Sequence, residues 1–451
     1  MTDYLALVRD IVTQAAARGV EAEAIIMDSQ ETQIEYGTGA VEKLSQARSK
    51  GLGVRVIDGG RVGYAYTSDF TPANVAKTWQ AAVELAAVAS PDDYRRLPTP
   101  QPIPDDDLEI YDPDFEAVST EAKIDLLRRI EAAVLAQDKR IEMARQVVYG
   151  DEITHVYLAN SNGFAGQYDR TSTFSYVFAF AREGEHAVEG IGIGASNFFA
   201  ELDPDSIAQE AAESALMALG GETVPTQTCP VVFAPFVTAM LLGTMAQAMT
   251  AEAMQKGRSF LIGKLGQDIA SDKVSLMDNG RMKRGLASAP FDGEGVPTSA
   301  TRLISEGVFE NVLYDSYSAA KDHQISTGNA QRPSHRNVPR LGLSNFYLQP
   351  GVKTPEEIIG EVENGIYVTQ IMQTGGIDPL TGECSMGAYG RWIENGELTK
   401  PVSGVTLATT LPDLLKNISE VGNNLRTIPI MGMILAPTIR VDNVMLGGKE
   451  D

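Results

Sequence analysis

Cysteine and histidine are scarce in this sequence of 451 residues, which contains two cysteines and four histidines. Cys229 and Cys384 form neither a CxxC motif nor a disulfide framework, and this favours a cytoplasmic location. No two histidines form an HxH or HxxxH pair, although a metal site needs several ligands to converge. The sequence therefore predicts no metal site in this chain. The histidines are His155, His186, His323 and His335.

Positive charge is also in short supply, with 37 lysines and arginines against 60 aspartates and glutamates and a formal net charge of -23. Contact with nucleic-acid phosphates requires a basic stripe, and no lysine- or arginine-rich cluster forms one. The composition therefore argues against nucleic acid as a direct partner. The acidic run Asp105, Asp106 and Asp107 lies in a proline-rich stretch and is most simply a solvated segment.

Long uninterrupted hydrophobic segments are missing as well. The stretch from Thr223 to Ala251 has no charged residue, but Pro225, Pro230 and Pro235 interrupt it. We predict a buried strand, PVVFAP, followed by a buried helix over FVTAMLLGTMAQAMTAEAM, and no membrane span. The first residues carry acidic side chains and no apolar core, which is typical of an amphipathic helix and not of a signal peptide.

The remaining composition is that of a folded protein, with 43% hydrophobic residues and a length that exceeds one ordinary hydrophobic core. Alternating segments around Gly59-Gly60, Asn162-Gly163 and Glu183-Gly184 predict hairpins, so the fold class is α+β with mainly antiparallel sheets. The predicted division is an N-terminal α/β domain at 1–92, a Pro/Asp-rich linker at 93–115, a central helix plus antiparallel meander domain at 116–221, and a C-terminal α+β domain at 222–451.

A complete catalytic set is not evident from the residues alone. There is no GxSxG motif, and Ser259 and Ser385 lack its glycine spacing. Cys384 is more simply an inert buried thiol than a nucleophile. The GxGxG in EGIGIGAS has no strand-turn-helix context and indicates a flat or bulged strand at a sheet edge. His323 and His335 flank a polar loop, where a surface or hydrogen-bonding role is favoured over ligation.

Several segments, in order along nearly the whole chain, carry a resemblance to a known family. They include GLGVRVIDGGRVGYAYTSDF, NSNGFAGQYDRTSTFSYVFAFA, KGRSFLIGKLGQDIASDKVSLMDN, STGNAQR, TGECSMGAYGRWIENGE and VGNNL. On these segments the chain resembles the TldD/PmbA family, and within it the PmbA branch, also called TldE. The resemblance implies curved, mainly antiparallel sheets flanked by helices.

The resemblance also bears on the helix without charges. The catalytic subunits of the family carry an HExxxH zinc motif on a helix that precedes a KG-containing segment. Here the corresponding stretch is LLGTMAQAMTAEAMQKG, which places Gly243 and Ala248 at the two histidine positions and Thr244 at the glutamate position. The family's C-terminal cysteine ligand is also missing from VGNNLRTIPIMGMILAPTIR. None of these residues performs zinc chemistry.

What the resemblance implies is a non-catalytic subunit of a zinc metallopeptidase that cleaves unfolded or extended peptides in a shared cavity. The expected partner is a TldD-like HExxxH subunit that holds the zinc, with a homodimer as the state of this chain alone. Gly375, Gly376 and Gly382 are candidate cavity glycines, although turns explain them equally well. Two alternatives remain: a peptide-binding or scaffold homodimer that modulates another protein, and a peptidase with an unrecognised site.

Overall fold

The computed structural model describes residues 3–372, 376–378, 380–429 and 432–449. Within these ranges the chain forms three six-stranded sheets and a small two-stranded sheet, with helices against them. The predicted α+β class with mainly antiparallel, curved sheets is confirmed. No helix in the described part of the chain is both long enough and apolar enough to cross a membrane.

The N-terminal half builds one sheet from strands on both sides of the proline-rich linker. Its order is β3-β2-β1-β4-β5-β6, and every neighbouring pair is antiparallel. The strands are β1 (Glu21–Gly37), β2 (Ala40–Asp58), β3 (Arg61–Thr67), β4 (Ile141–Asn160), β5 (Ala165–Glu183) and β6 (His186–Ser196). The helices are α1 (Tyr4–Ala16), α2 (Pro72–Val88), α3 (Thr120–Gln137) and α4 (Pro204–Ala218).

The predicted hairpins are confirmed by the turns of this sheet. Asp58 pairs with Arg61 across Gly59 and Gly60, which both have positive φ, as a two-residue turn requires. The meander from β4 to β6 also turns where it was predicted. Because β1 and β4 pair over fourteen residues, from Glu23↔Asn160 to Tyr36↔Val147, the segments predicted as separate domains share a continuous sheet.

All four helices cover one face of this sheet. Alternate residues of β1 explain how: Ala24 and Ile26 pack with α1 and α2, and farther along the strand Ile34 and Tyr36 pack with α3 and α4. The residues between them, such as Ile25, point to the opposite face, where Ile25 packs in a cluster with Phe291 from the C-terminal half. The first sheet therefore separates a layer of helices from the C-terminal half.

The GxGxG segment has a packing role that the sequence did not reveal. Its glycines lie on β6, at the sheet edge as predicted, and the register with β5 has no bulge. A Cβ on Gly192 would lie 1.9 Å from the carbonyl oxygen of Ile207, and one on Gly190 would lie 2.2 Å from the amide nitrogen of Ala215. These glycines let the backbone of α4 approach the sheet more closely than any side chain allows.

The linker at 93–115 has little regular structure, as its prolines predicted, but it is attached to the body of the protein. Leu97, Leu108 and Ile110 are buried, and the Asp106 carboxylate contacts the Arg281 guanidinium. Asp105, Asp106 and Asp107 are exposed, as predicted for a solvated run, and Asp106 in addition pairs with an arginine distant in sequence.

The C-terminal half contains two six-stranded sheets. Its helices are α5 (Pro235–Ala246), α6 (Ala251–Gln255), α7 (Ser316–Lys321), α8 (Pro355–Gly360) and α9 (Leu411–Asn417). Its strands are β7 (Gln227–Phe233), β8 (Leu276–Asn279), β9 (Ala300–Ser305), β10 (Val308–Phe309), β11 (Ala330–Gln331), β12 (Arg340–Leu341), β13 (Asn345–Leu348), β14 (Asn364–Met372), β15 (Glu383–Glu394), β16 (Glu397–Thr410), β17 (Ile418–Val421), β18 (Arg426–Ile428), β19 (Met433–Ala436) and β20 (Ile439–Gly447).

One of these sheets closes on itself. Its order is β16-β15-β14-β7-β20-β17, and β16 also pairs with β20. The other sheet has the order β10-β9-β8-β13-β19-β18. Helix α5 contacts β7 and β14 of the first and β18 and β19 of the second, so it lies between the two sheets at the centre of the largest hydrophobic cluster.

A buried network of charged side chains joins the first sheet to the C-terminal half. The Arg55 guanidinium on β2 contacts Glu23 on β1 at 2.9 Å and Glu294 at 3.0 Å. Arg332 contacts the other oxygen of Glu23 and donates to the carbonyl oxygen of Gly293 at 3.0 Å. Burial opposes ionisation of Glu294, but Arg55 and the hydrogen bonds with Ser316 outweigh it and lower the pKa of this carboxyl group.

The close approach of α4 to β6 predicts a loss of stability for Gly192→Ala. The added methyl group meets the Ile207 carbonyl oxygen, which is fixed in a helix, so we expect a loss of about 3 kcal/mol in the free energy of unfolding. Gly194→Ala is the matched control, because its Cβ meets the flexible end of the Ile207 side chain and the cost should stay below about 1 kcal/mol. Equal losses in a chemical denaturation series would contradict this account.

Removing Arg55 should lower the free energy of unfolding far more than removing a surface arginine does. Arg55→Leu leaves Glu23 and Glu294 with less compensation in a buried site, and we expect a loss of about 3 to 5 kcal/mol. Adding Glu294→Gln should recover part of it. Arg128→Leu breaks an exposed pair and should change the free energy of unfolding by less than about 1 kcal/mol. The absence of any recovery in the double variant would argue against the network.

Candidate functional site

The helix that resembles a zinc helix is buried in the C-terminal core. Gly243 and Ala248 are buried, and Ala248 belongs to the large hydrophobic cluster. Thr244 is 9% exposed, and its hydroxyl donates to the carbonyl oxygen of Met240 at 3.1 Å. None of the three side chains offers an imidazole, thiolate or carboxylate, so the residues present do not fit a zinc ion.

The predicted single helix from Phe236 to Met254 is wrong in one respect, because the structure divides it. Helix α5 ends at Ala246, a 3-10 turn follows at Gln247–Met249, and Thr250 adopts an extended conformation before α6 begins. The Thr250 hydroxyl accepts a hydrogen bond from the amide of Ala253 and caps α6. Sequence periodicity missed this cap because the flanking residues are small and apolar on both sides of it.

Potential metal ligands do not converge in the part of the chain that is described. No group of three or more His, Cys, Asp or Glu side chains there could hold a metal ion. His155 lies beside Asp169, with Nδ1 and Oδ1 2.7 Å apart, and His323 is exposed. Both cysteines are buried, and burial raises the pKa of each thiol to about 11, which disfavours the thiolate.

The expected surface or hydrogen-bonding role is wrong for His335. This side chain is 1% exposed, and its Nε2 has no hydrogen-bond partner among the described residues. It lies against β2, where a Cβ on Gly51 would come within 2.2 Å of Nε2. Burial, and to a lesser degree Arg336, lowers the pKa of His335, so the ring is a neutral packing element of the interface between the two halves.

Carboxyl groups with raised pKa values are the usual candidates for an unrecognised catalytic acid or base. Burial raises the pKa of Asp278 to about 6, although it accepts hydrogen bonds from Asn329 and Ser344. Burial and the neighbouring Glu294 raise the pKa of Asp292. Asp292 borders a cavity of only about 60 Å³ between the first sheet and the C-terminal half. That volume excludes a peptide, so Asp292 is poorly placed for catalysis.

The raised pKa of Asp278 predicts a pH dependence of stability. The folded state holds a proton between pH 3.8 and about 6 that the unfolded state has released, so this group's contribution to stability falls as the pH rises through that window. Between pH 5 and 7 the loss is about 1 kcal/mol. Asp278→Asn removes this contribution.

The check is the difference in unfolding free energy between the wild type and Asp278→Asn, measured by urea denaturation at several pH values. This difference should shift by about 1 kcal/mol in favour of the variant as the pH rises from 5 to 7. Asn279→Ala, at the next position of β8, is a control whose difference from the wild type should not vary with pH. A pH-independent difference for Asp278→Asn would refute the buried-carboxyl account.

A cleft lies between α4, β14 and the first turn of α5, and we name it the α4–β14 cleft. It has a volume of about 370 Å³, within the range typical of ligand pockets. Phe236 at the start of α5 and Asn424 and Arg426 from the VGNNLR segment line one side. Glu210 and Glu213 of α4 line the other side.

The α4–β14 cleft is lined by two acidic side chains on α4 and by one arginine on the other side. The Arg426 guanidinium contacts the Glu210 carboxylate at 2.8 Å, so these charges compensate each other. Glu213 is exposed and accepts a hydrogen bond from the neutral Gln209 side chain at 2.7 Å. Tyr367 of β14 also lines the cleft, and burial together with Glu213, Glu356 and Glu210 raises its pKa to about 12. Its phenol is therefore protonated at neutral pH.

A row of aromatic side chains lies on the face of the first sheet opposite the helices. Phe174, Tyr176, Phe178 and Phe180 alternate along β5 and remain partly exposed, whereas the residues between them are buried. The rings of Phe174 and Tyr176 stack nearly parallel, and the ring of Phe178 meets that of Tyr176 edge to face. Such a surface offers rigid apolar contact area at a low entropic cost.

Two of the three candidate cavity glycines, Gly376 and Gly382, lie near a tight turn before β15. Gly375 is outside the described residues. Gly382 has a φ of +80°, and its amide donates to the carbonyl oxygen of Asp378 at 2.8 Å. A Cβ on Gly376 would lie 1.7 Å from the carbonyl oxygen of Ser385, so this position requires glycine for close backbone approach. A role for these glycines in a peptide cavity stays a prediction.

Comparison with known proteins covers nearly the whole chain. Three domain families match it in order: PmbA/TldA metallopeptidase domain 1 at residues 22–89, the central domain at 113–219 and the C-terminal domain at 226–448. The chain belongs to the PmbA/TldD family. The family explains the ordered sequence segments, and the recognition made from them is confirmed.

Individual members of the PmbA/TldD family agree with this assignment. The chain is 29% identical to Metalloprotease PmbA of Escherichia coli O157:H7, over 96% of both chains. It is 26% identical to a Thermotoga maritima protein described as a candidate modulator of a DNA gyrase, with a TM-score of 0.88 over 99% of this chain and 100% of that one. TldE from Thermococcus kodakarensis shares the fold, with a TM-score of 0.88 at 23% identity over 99% of both chains.

Sequence reasoning missed the α4–β14 cleft and the buried charge network. Glu210 and Glu213 are ordinary helix residues in the sequence, and Arg426 carries no motif. The network joins Glu23 to Arg332 across 309 positions. Near the network, the sequence shows only the acidic residues Asp292 and Glu294 among glycines. This pattern indicates a turn but does not identify the arginine that pairs with Glu294.

Proposed function

We propose that this chain is the non-catalytic subunit of a TldD/TldE-type zinc metallopeptidase that cleaves unfolded or extended peptides. The observation that carries the proposal is the side-chain chemistry at Gly243, Thr244 and Ala248. None of these side chains can bind zinc, although the chain belongs to a family of metallopeptidases. The zinc and the activated water would then belong to a partner with an HExxxH motif. The expected partner is a TldD-like subunit, and the expected compartment is the cytoplasm.

The surface of the chain supports a role in peptide binding. The aromatic row on β5 forms an uncovered sheet face next to β6, and β6 adjoins the C-terminal half through the contact of Arg426 with the Ile193 carbonyl oxygen at 3.2 Å. A wall of this kind contacts an extended peptide through aromatic side chains, with little sequence preference. This chain would contribute cavity wall and specificity, while the partner would contribute the chemistry.

The test compares cleavage of an unstructured peptide by this chain, by an HExxxH paralogue and by their mixture, with the zinc content of each sample. We expect no cleavage and no stoichiometric zinc for this chain alone, and greater cleavage by the mixture than by the paralogue. Zinc-dependent cleavage by this chain alone would refute the proposal. Peptide binding without any effect on the paralogue would favour the scaffold alternative instead.

A variant pair tests whether the aromatic wall contributes to the mixture. Phe174→Ala should raise KM for the peptide about fivefold, which corresponds to ~1 kcal/mol of lost apolar contact. Tyr94→Ala is the matched control, because Tyr94 is similarly exposed, at 38% against 36% for Phe174, but lies in the linker. Equal KM values for the two variants would remove the aromatic row from the proposed cavity.

A further inference from the structure

The first turn of α5 opens into the α4–β14 cleft without a side-chain cap. Ala234 occupies the N-cap position and has no side chain that could accept a hydrogen bond, and Pro235 follows it. The amide groups of the first turn have no partner within a helix, and the helix dipole adds partial positive charge there. Ala234, Pro235 and Phe236 line the cleft. Proline has no N–H and the Ala234 amide donates to the Val368 carbonyl oxygen, so the Phe236 amide is the donor that this end of the helix offers to the cavity.

A buried hydroxyl group adjoins the same end of the cleft. Thr369 lines it and is 7% exposed, and its Oγ1 has no hydrogen-bond partner among the described residues. Its neighbour Val368 accepts a hydrogen bond from the Ala234 amide at 2.9 Å, which places Thr369 beside the start of α5. A buried hydroxyl without a partner is unfavourable, so a ligand that satisfies it gains affinity on binding.

The wall formed by α4 carries acidic side chains, which complement the hydrogen-bond donor at α5. Glu213 accepts a hydrogen bond from the neutral Gln209 side chain, whereas Glu210 pairs with the Arg426 cation. The cleft therefore presents a hydrogen-bond donor at α5 and a carboxylate at α4. A ligand with one negative and one positive end satisfies both walls, whereas a simple anion is repelled by Glu213 and a simple cation leaves the Phe236 amide without an acceptor.

We propose that the α4–β14 cleft binds a short zwitterionic peptide, with its terminal carboxylate at the first turn of α5 and Thr369 and its ammonium group at Glu213. The cavity of about 370 Å³ accommodates a ligand of this size. That the ligand is a peptide rests on the proposed function, whereas its two charged ends rest on the walls of the cleft. The site holds a small fragment and is distinct from the aromatic row on β5.

The test is calorimetric titration of the full chain alone with dialanine, dialanine amide and N-acetyl-dialanine. We expect binding of dialanine, and binding at least about tenfold weaker when either charged end is blocked. Equal affinity for dialanine and its amide would overturn the carboxylate assignment, and equal affinity for the acetylated peptide would overturn the ammonium assignment. No binding of dialanine at millimolar concentration would overturn the proposal as a whole.

Variants assign the two ends of the ligand to the two walls. Thr369→Val should weaken dialanine binding about tenfold and leave the affinity for dialanine amide unchanged. Glu213→Gln, an exposed substitution that the fold tolerates, should weaken dialanine binding and leave the acetylated peptide unaffected. Thr173→Val is the matched control, because its buried hydroxyl also lacks a partner but lies in the first sheet.

Thermal unfolding of each variant checks that it folds before its binding is compared. Equal dialanine affinity for Thr369→Val, Glu213→Gln and the wild type would overturn the assignment of the site. Because the titration uses this chain without a partner or zinc, its outcome does not depend on whether the mixture cleaves peptides. Failure of the subunit role and failure of this site are therefore distinguishable.

Discussion

The arrangement of this protein depends on the buried charges between its two halves. Glu23 and Arg55 lie on adjacent strands of the first sheet, and Glu294 and Arg332 reach them from loops of the C-terminal half. A buried charge is tolerated only when an opposite charge and hydrogen bonds surround it, so the four groups must meet in one geometry. The network therefore fixes the C-terminal half against the sheet face that the helices leave open, and apolar contacts such as that of Ile25 with Phe291 adjoin it.

This orientation also places the surfaces on which binding would depend. The C-terminal half covers only part of the open sheet face, so the aromatic row on β5 remains accessible. Contact of Arg426 with Glu210 and the Ile193 carbonyl oxygen brings the second half against α4 and β6 and forms one side of the α4–β14 cleft. The α4–β14 cleft lies at the junction between the two halves, as ligand sites in multi-layered proteins commonly do.

The position of α5 explains why its sequence contains no charged residue. Helix α5 is surrounded by two sheets, and a helix in that place must be apolar on nearly every side. Gly243, Thr244 and Ala248 satisfy packing there without any metal. The lack of charge in this segment therefore follows from its burial between the two sheets.

The sequence by itself determined the local elements and the family. The paired glycines at Gly59 and Gly60 and the alternating strands predicted the hairpins correctly, because turn and strand preferences act over a few residues. Only the tertiary structure decided the continuous first sheet, the division of the helix at Thr250, the burial of His335 and the α4–β14 cleft. Each of these depends on contacts between residues far apart in the chain, and side-chain types such as Glu210 or Thr369 do not encode which distant partner they meet.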